Sequence, residues 1–305
     1  MSKHVAVLMG GWSAERQVSL STGNACASAL RSAGYRVTEV DVDRSIAQTL
    51  AKLHPDVCFN ALHGPFGEDG NIQGLLNIIG IPYTHSGVQA SALAMDKPRS
   101  KRIFKSAGLR CPDGVVCSRD DTIAGNTYDP PYVLKPINQG SSVGVHIIRA
   151  GDNHLPVIGD WPFGEEVLLE PYIPGRELTV GVFDGNAFCV TEITSDHGFY
   201  NYEAKYEEGG SVHLLPAPLP SAITEEAQSM AIRAHEVLGC RGVTRCDFRY
   251  DDTDDREGEG RLYLLEINTQ PGMTATSLVP EQAVFRGIPF PTLLSRMVED
   301  AQCDL

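Results

Sequence analysis

The sequence predicts an α/β fold that begins with an open parallel sheet and continues into α+β units. Near the amino terminus, short solid apolar runs alternate with helix-spaced segments, which is typical of parallel strands joined by crossovers. Hairpin signals follow in the second half of the chain. The length of 305 residues predicts two or three domains, and we divide the chain at 1–95, 96–180 and 181–305.

The first unit has the pattern of a parallel sheet. A buried strand is predicted at Val5–Met9, and Ser13 is expected to cap the helix that follows. Further strands are predicted at Tyr35–Val42 and Val57–Leu62. Ligands of open parallel sheets bind beyond the carboxyl ends of the strands. We therefore expect the glycine turn after the first strand and the segment that begins at His63 to line one crevice.

The later units are predicted to combine antiparallel strands with helices. Asp96 is expected to cap a helix. The clearest hairpin signal joins Leu178–Phe183 to Ala187–Ile193 through Asp184-Gly185-Asn186. A polar, aromatic stretch over 195–211 is predicted to be a surface loop, of a length typical of lids. Other strands are predicted at Tyr132–Pro136, Val145–Arg149, Val167–Leu169, Val243–Tyr250 and Leu262–Asn268.

Composition argues against several classes of protein. The chain has 25 Lys and Arg against 39 Asp and Glu, so no surplus of cations is present to bind nucleic acid or an anionic membrane. No apolar run approaches the roughly 20 residues of a membrane span, and the start lacks a signal-peptide core, which predicts a cytoplasmic protein. The eight cysteines are scattered, which predicts free thiols. P-loop, dinucleotide-binding, zincin and nucleophile-elbow motifs are absent.

The strongest chemical pattern lies on the last two predicted strands. Side chains alternate along a strand, so Arg245 and Asp247 share one face, and Glu266 and Asn268 share one face. If the strands pair, three oxygen-bearing groups and a guanidinium meet on one surface. Such oxygens suit Mg²⁺ together with substrate phosphates, whereas the alternative is a solvated strand face. Apolar neighbours favour the metal site, because buried carboxylates need a partner.

Three weaker patterns concern nucleotide and substrate binding. Lys135 precedes a Gly/Ser loop that could fold over phosphates or form an ordinary hairpin turn. Glu170 and Glu177 flank a segment that fits either a hinge contacting adenine and ribose or a plain interdomain linker. Glu15 and His63 lie in glycine-flanked loops, where a structural role is the alternative to a catalytic one.

Motifs of several residues each follow one another along essentially the whole chain. They are Gly10-Gly11-Trp12-Ser13-Ala14-Glu15-Arg16 with Ser19-Leu20-Ser21, His63-Gly64-Pro65-Phe66-Gly67-Glu68-Asp69-Gly70, Met95-Asp96-Lys97, Lys135-Pro136 with Gly140-Ser141-Ser142-Val143-Gly144, Tyr202-Glu203-Ala204-Lys205-Tyr206, Glu266-Ile267-Asn268-Thr269 with Pro271-Gly272-Met273-Thr274, and Ser277-Leu278-Val279-Pro280. In residue types and in order, this series resembles the D-alanine–D-alanine ligases of the ATP-grasp superfamily.

The resemblance implies both a fold and a reaction. The fold would be ATP-grasp with three domains. The reaction would join two D-alanine molecules to D-alanyl-D-alanine through a D-alanyl phosphate, with ATP as substrate and two Mg²⁺ or Mn²⁺ ions, for peptidoglycan synthesis. Relatives are commonly homodimers, and a homodimer is expected here.

The resemblance also implies a role for individual residues. The nucleotide would contact Lys97, Lys135, Ser142, Glu170, Tyr172, Ile173 and Glu177. The metal ions would be held by Asp247, Glu266 and Asn268. Catalysis would involve Glu15, Ser141, Tyr206, Arg245 and Gly272. The amino-acid substrates would also contact His63, Lys205, Ser277 and Leu278.

Two departures and three rival functions accompany the resemblance. Gln270 stands where many relatives carry a small polar residue, and Pro171-Tyr172 differs from the usual aromatic pair of the hinge. A D-alanine–D-lactate ligase of the vancomycin-resistance type typically lacks the lid tyrosine, so Tyr206 favours the dipeptide product. The Glu15 and Ser277 motifs argue against another ATP-grasp carboxylate–amine ligase. A non-catalytic nucleotide sensor would not need both the metal ligands and Arg245, which by resemblance stabilises an oxyanion.

Overall fold

The computed structural model describes residues 2–125, 128–141, 143–152, 157, 161–194, 210–253, 260–274 and 276–304. The strands are β1 His4–Met9, β2 Arg36–Asp41, β3 Val57–Asn60, β4 Val115–Ser118, β5 Tyr132–Pro136, β6 His146–Ile148, β7 Glu166–Pro171, β8 Arg176–Phe183, β9 Asn186–Ala187, β10 Thr191–Thr194, β11 Val212–Leu214, β12 Thr244–Asp251 and β13 Arg261–Asn268. The helices are α1 Arg16–Ser32, α2 Ile46–Leu53, α3 Asn71–Ile79, α4 Val88–Met95, α5 Lys97–Ser106, α6 Arg119–Ile123, α7 Ser221–Val237, α8 Leu278–Phe285 and α9 Phe290–Glu299. Within this described part of the chain, every helix is too short or too polar to span a bilayer.

The first sheet is parallel, and its strand order is β2-β1-β3. Strand β1 is buried along its whole length, because a solid apolar run is covered on both faces in such a sheet. Helices α1 and α2 connect the strands in sequence. The strands predicted in this unit are confirmed within two residues at each end.

The expected capping role of Ser13 is wrong. Helix α1 begins at Arg16, and the residue before it is Glu15, whose side chain makes no capping hydrogen bond. The Ser13 hydroxyl instead donates to the carbonyl of His63 at 2.7 Å and accepts from the amide of Glu15 at 3.2 Å. Ser13 therefore joins the loop after β1 to the loop after β3.

Two antiparallel sheets follow, so the α/β fold with later α+β units is confirmed. The first has the order β4-β7-β5-β6, and the second has the order β11-β10-β8-β12-β13, with β9 paired to β8. Asp96 caps α5 as expected, because its side chain accepts from the amide of Arg99 at 3.0 Å. The hairpin turn contains only Asp184 and Gly185, both with positive φ, and Asn186 already pairs in β9.

Two large apolar clusters bind these layers together. In one, α7 packs on β8, β12 and β13. In the other, residues of α8 and α9 pack with residues of α1, β1 and β3, so the end of the chain returns to the first sheet. The ends of β1, β3, β12 and β13 therefore come close to one another between the first and the last sheet.

A buried side-chain amide joins α8 to the largest sheet. The Gln282 side chain is fully buried, and its Oε1 accepts from the amide of Gly181 at 2.7 Å. Its Nε2 donates to the hydroxyl of Thr191 at 2.9 Å and to the carbonyl of Thr179 at 3.2 Å. Gln282 therefore links α8 to both β8 and β10.

Replacing this amide should destabilise the fold. Gln282→Leu keeps the volume but leaves buried polar groups of β8 without partners, so the free energy of unfolding should fall by about 2 kcal/mol. The midpoint of urea unfolding measures the change. Val284→Ala is the control on the same helix, because Val284 is 58% exposed. Equal shifts for the two variants would contradict the role assigned to Gln282.

Candidate active site

Strands β12 and β13 bring four predicted site residues onto one surface. Arg245 lies opposite Asn268, and Asp247 lies opposite Glu266. The Arg245 guanidinium forms two hydrogen bonds with Asp247, Nε to Oδ1 at 2.8 Å and NH2 to Oδ2 at 2.7 Å. Thr179 also donates to Asp247 Oδ1 at 2.7 Å. Arg245 and Asp247 are therefore already paired with each other as cation and carboxylate.

A bulge follows this group in the strand pair. Asp247 pairs with Glu266, but the next residue, Phe248, pairs with Leu264, so Leu265 is an extra residue in β13. The bulge keeps Leu264 and Ile267 on the buried face, although they are three residues apart. It leaves Leu265 beside Glu266 on the open face, where both line the smaller cavity described below.

Lys97 connects three parts of the site. It is the first residue of α5 and is only 6% exposed, although a lysine at a helix start is usually solvated. Its Nζ donates to the carbonyl of Gln139 at 2.6 Å and lies 3.4 Å from Glu266 Oε2. Lys97 therefore links the Gly/Ser loop after β5 to the acidic group on β13.

A cavity of about 280 Å³ opens between the first sheet and β13. The predicted site residues that line it are Glu15, His63, Lys97, Ser141, Arg245, Glu266, Asn268, Gly272, Ser277 and Leu278. Gly64 lies beside Glu15, and a Cβ at this position would come within 2.9 Å of Glu15 Oε1. The absence of a side chain at Gly64 thus leaves room for the Glu15 carboxylate.

Both ring nitrogens of His63 are engaged. Nδ1 lies 2.9 Å from Glu68 Oε1, and Nε2 lies 3.0 Å from the hydroxyl of Thr22. All three side chains are buried. Glu68 and Thr22 are site residues that the sequence reasoning missed, although Glu68 belongs to the same glycine-rich motif as His63. The contacts orient the imidazole against the cavity wall.

A turn before α8 closes the far end of this cavity. Ser277 precedes the helix, and its hydroxyl accepts from the amide of Thr274 at 2.9 Å. Leu278 is the first helical residue and is buried. Free N–H groups at a helix start favour an anion. This end of the cavity is therefore suited to a carboxylate.

A smaller cavity of about 90 Å³ lies on the other side of Lys97 and Glu266. The predicted site residues that line it are Lys97, Lys135, Glu170, Tyr172, Ile173, Glu177, Asp247 and Glu266. Apolar walls come from Val133, Val145 and Leu265. The cavity combines an apolar slot with two lysines, a combination that suits an aromatic base joined to phosphates.

Arg249 organises the hinge at this cavity and was missed by the sequence reasoning. It donates from Nε to the carbonyl of Ile173 at 3.1 Å and from NH2 to the carbonyl of Gly175 at 2.7 Å. Its guanidinium lies 5.9 Å from the ring centroid of Tyr172 and 3.5 Å from Glu177 Oε2. The aromatic residue of the unusual Pro171-Tyr172 pair therefore lies beside a cation.

The Glu170 side chain is not directed to solvent but forms a buried charge cluster. Its Oε2 lies 2.5 Å from Lys135 Nζ, and its Oε1 contacts Lys101 Nζ. Burial alone would raise the pKa of Glu170, but Lys135 and Lys101 outweigh it and hold the pKa below its usual value. Glu170 therefore remains a carboxylate between two ammonium groups.

Gln270 connects the acidic strand to the first sheet. Its buried side chain accepts from Asn60 Nδ2 at 2.6 Å and donates to the carbonyl of Leu62. Its amide donates to Asn268 Oδ1 at 2.8 Å. The departure from a small polar residue thus provides a contact across the two sheets, which a shorter side chain would not reach.

The oxygen-bearing side chains on β12 and β13 suit a divalent cation. Asp247, Glu266 and Asn268 offer two carboxylates and one amide, without sulfur or imidazole, which fits Mg²⁺ or Mn²⁺ with phosphates as further ligands. Among the described residues, no group of three His, Cys, Asp or Glu side chains has metal-binding geometry. The donors here therefore fit a site that substrate oxygens complete.

Three predicted site residues lie outside the described residues. They are Ser142, Lys205 and Tyr206, and most of the predicted lid at 195–211 lies there too. The strands that flank this segment, β10 and β11, pair with each other, with Thr194 opposite Val212.

Comparison with known proteins assigns the chain to a group. Residues 105–299 match the family model described as D-ala D-ala ligase C-terminus, and residues 44–86 match D-ala D-ala ligase N-terminus. The D-alanine–D-alanine ligase of Parvibaculum lavamentivorans is 56% identical over 99% of both chains, and that of Agrobacterium fabrum is 55% identical over 99% of this chain and 98% of its own. The crystal structure of the Bacillus anthracis ligase complexed with ATP is 29% identical, with a TM-score of 0.80 over 98% of this chain and 97% of its own.

Removing the bridge at Gln270 should loosen the loop that carries His63. Gln270→Ala deletes the contacts with Asn60 and Leu62, so amide hydrogen exchange in 58–70 should accelerate about tenfold. Hydrogen exchange read by mass spectrometry gives the rate for each peptide. Gln48→Ala, at an exposed position of α2, is the control. Unchanged exchange in 58–70 would show that the bridge does not hold the loop.

Proposed function

The chain belongs to the D-alanine–D-alanine ligase family, and from this premise we propose how its residues divide the work of that reaction. It is an ATP-grasp enzyme that joins two D-alanine molecules to D-alanyl-D-alanine with ATP as substrate, for peptidoglycan synthesis. The observation that carries the proposal is the position of Arg245, Asp247, Glu266 and Asn268 around two cavities that meet at Lys97.

ATP would occupy the smaller cavity. The apolar slot would take adenine, with the Glu170–Ile173 backbone beside it, and Glu177 would bind the ribose hydroxyls. Lys97 and Lys135 would hold the phosphates, since both residues line this cavity. Ser142 is assigned to the phosphate loop by resemblance. Positioning and charge neutralisation are what phosphoryl transfer chiefly needs.

Asp247, Glu266 and Asn268 would hold two Mg²⁺ or Mn²⁺ ions. Bound there, the ions would neutralise charge on the transferring phosphoryl group. The contact between Asp247 and the Arg245 guanidinium supports this assignment, because a positively charged group already lies against this carboxylate. When substrates bind, Arg245 would exchange Asp247 for the carboxylate of an amino acid.

The first D-alanine would lie in the larger cavity, with its amine near Glu15 and its carboxylate near Arg245. That carboxylate attacks the γ-phosphorus of ATP, the bond to the β-phosphate oxygen breaks, and D-alanyl phosphate and ADP form. His63, oriented by Glu68, would support the Glu15 side of this pocket. The nearby N–H groups and Arg245 stabilise charge as it develops.

The second D-alanine would place its carboxylate at Ser277 and Leu278, where α8 begins. Its amine attacks the acyl carbon, and inorganic phosphate leaves from the tetrahedral intermediate. Arg245 and the amide of Gly272 would stabilise the oxyanion. The 195–211 segment, with Lys205 and Tyr206 closing on Ser141 and Glu15, would exclude water from the acyl phosphate.

Three further assignments complete the proposal. The chain would divide into domains at 1–95, 96–180 and 181–305. It would act as a homodimer in the cytoplasm, with small molecules rather than nucleic acid or membrane as partners. These assignments rest on the family resemblance and on the charge of −14.

A direct assay tests the reaction. Phosphate release from ATP and Mg²⁺ should depend on D-alanine and not on L-alanine, and mass spectrometry should identify D-alanyl-D-alanine. D-Lactate offered as a second substrate should give little depsipeptide near neutral pH. ATP turnover that requires a different amino acid would instead favour another carboxylate–amine ligase.

Glu266→Gln should abolish turnover while the fold survives. The substitution removes one of the two carboxylates assigned to the metal ions, so kcat should fall at least about 1,000-fold. Circular dichroism and the urea midpoint check the fold. Glu236→Gln, at an exposed position of α7, is the matched control. Full activity of Glu266→Gln would refute the metal assignment.

A further inference from the structure

A second lysine on α5 is buried behind the nucleotide cavity and has no role in the reaction described above. Lys101 lies one helical turn after Lys97 and is 5% exposed. Among the described residues, the walls of neither cavity include Lys101. A lysine is seldom buried to this degree unless its charge serves a partner.

The partner is Glu170, which Lys101 shares with Lys135. Lys101 Nζ contacts Oε1 of the carboxylate, and Lys135 Nζ lies 2.5 Å from Oε2. Glu170 is 2% exposed, so water can solvate its carboxylate only slightly. The cluster of Lys101, Glu170 and Lys135 therefore carries two positive charges and one negative charge among largely buried side chains.

This excess of one positive charge matters when a phosphate arrives at Lys135. If Lys135 were the sole partner of Glu170, its movement towards a phosphate would leave a buried carboxylate without a counter-charge, which is strongly unfavourable. With Lys101 on the other oxygen, Glu170 stays paired while Lys135 turns away. The helix α5 thus supplies one lysine to the cavity and another to the carboxylate behind it.

We propose that Lys101 is a positioning residue for ATP: it keeps Glu170 paired and so releases Lys135 to bind the phosphates. The proposal rests on the assignment of the smaller cavity to ATP. It predicts that Lys101 contributes to the binding of phosphates and not to the binding of adenine or ribose.

Burial, and then the neighbouring Lys135, lower the pKa of Lys101 to about 8. The titratable groups that face it are Glu170, Lys135 and Cys111, and burial raises the pKa of the Cys111 thiol to about 11. Lys101 is therefore charged below about pH 8 and loses its proton as the pH rises through that value. ADP affinity of the wild type should weaken across this range, and the change should be absent from Lys101→Met.

The main test compares two ligands that differ only in phosphates. Displacement of a fluorescent ATP analogue gives the Kd of ADP and of adenosine for each variant. In Lys101→Met, the Kd of ADP should rise at least about tenfold, and that of adenosine should change less than about twofold. Lys105→Met is the matched control, because Lys105 lies one turn further along α5 and is exposed, beside Asp113.

A second variant tests the cause. In Glu170→Gln a neutral amide replaces the carboxylate, so the side chain no longer needs a counter-charge. Adding Lys101→Met to this variant should leave its ADP affinity at the value of Glu170→Gln alone. This comparison stands even if Lys101→Met alone fails to fold, because the double variant leaves no buried carboxylate without a counter-charge. Loss of ADP affinity that persists in the Glu170→Gln background would overturn the proposal.

Other outcomes distinguish the role of Lys101 from the assignment of the smaller cavity to ATP. Equal weakening of ADP and adenosine in Lys101→Met would show a general structural role and refute the positioning role. Failure of the wild type to bind ADP would refute the nucleotide cavity itself. Tight ADP binding by the wild type with a phosphate-specific loss in Lys101→Met supports both.

Discussion

Arg245 stands opposite Asn268 and Asp247 opposite Glu266 across two antiparallel strands, and the two cavities are arranged around these four side chains. The register of this pair depends on burial. The alternate residues of β12 lie in the core beneath α7, so a slip of one residue would expose the core face and bury the charges. Because of the bulge at Leu265, β13 places apolar side chains in the core on both sides of Glu266.

Charged groups of the site lie against partners of opposite charge before any substrate binds. Arg245 pairs with Asp247, and Glu170 lies between two lysines. Under the proposed assignments, the charged groups of substrates would displace these internal partners rather than bind unpaired charges. Such exchange lowers the binding free energy that each contact could contribute. In the absence of substrates, however, it avoids the destabilisation that buried charges without partners would cause.

Local patterns were sufficient for much of the fold. Apolar runs locate most of the strands, Asp96 is recognisable as a cap, and Asp184-Gly185 marks the hairpin, because these features depend on neighbours in sequence. The short strands β4 and β11 were not predicted, and the single strand predicted at Ala187–Ile193 is divided between β9 and β10. The alternation of side chains along β12 and β13 also predicts correctly that Arg245, Asp247, Glu266 and Asn268 share one surface. The roles of the individual residues came from the family resemblance.

Features that depend on distant contacts could not be predicted. Ser13 serves the loop after β3 rather than its own helix, and Gln270 reaches Asn60 across two sheets. The burial of Lys97 depends on the loop that packs over it, and the position of Arg249 depends on the backbone of a hinge more than 70 residues away. No local pattern contains the partner in these cases.

Lys97, Gln139 and Glu266 form a wall that is common to both cavities. A ligand that moves this wall in one cavity changes the shape and charge of the other. Thermodynamic linkage then requires reciprocity: the factor by which nucleotide alters the affinity for the amino acid equals the factor by which the amino acid alters the affinity for nucleotide. With nucleotide and amino acid in these two cavities, as proposed above, the binding of one would change the affinity for the other through the wall that they share.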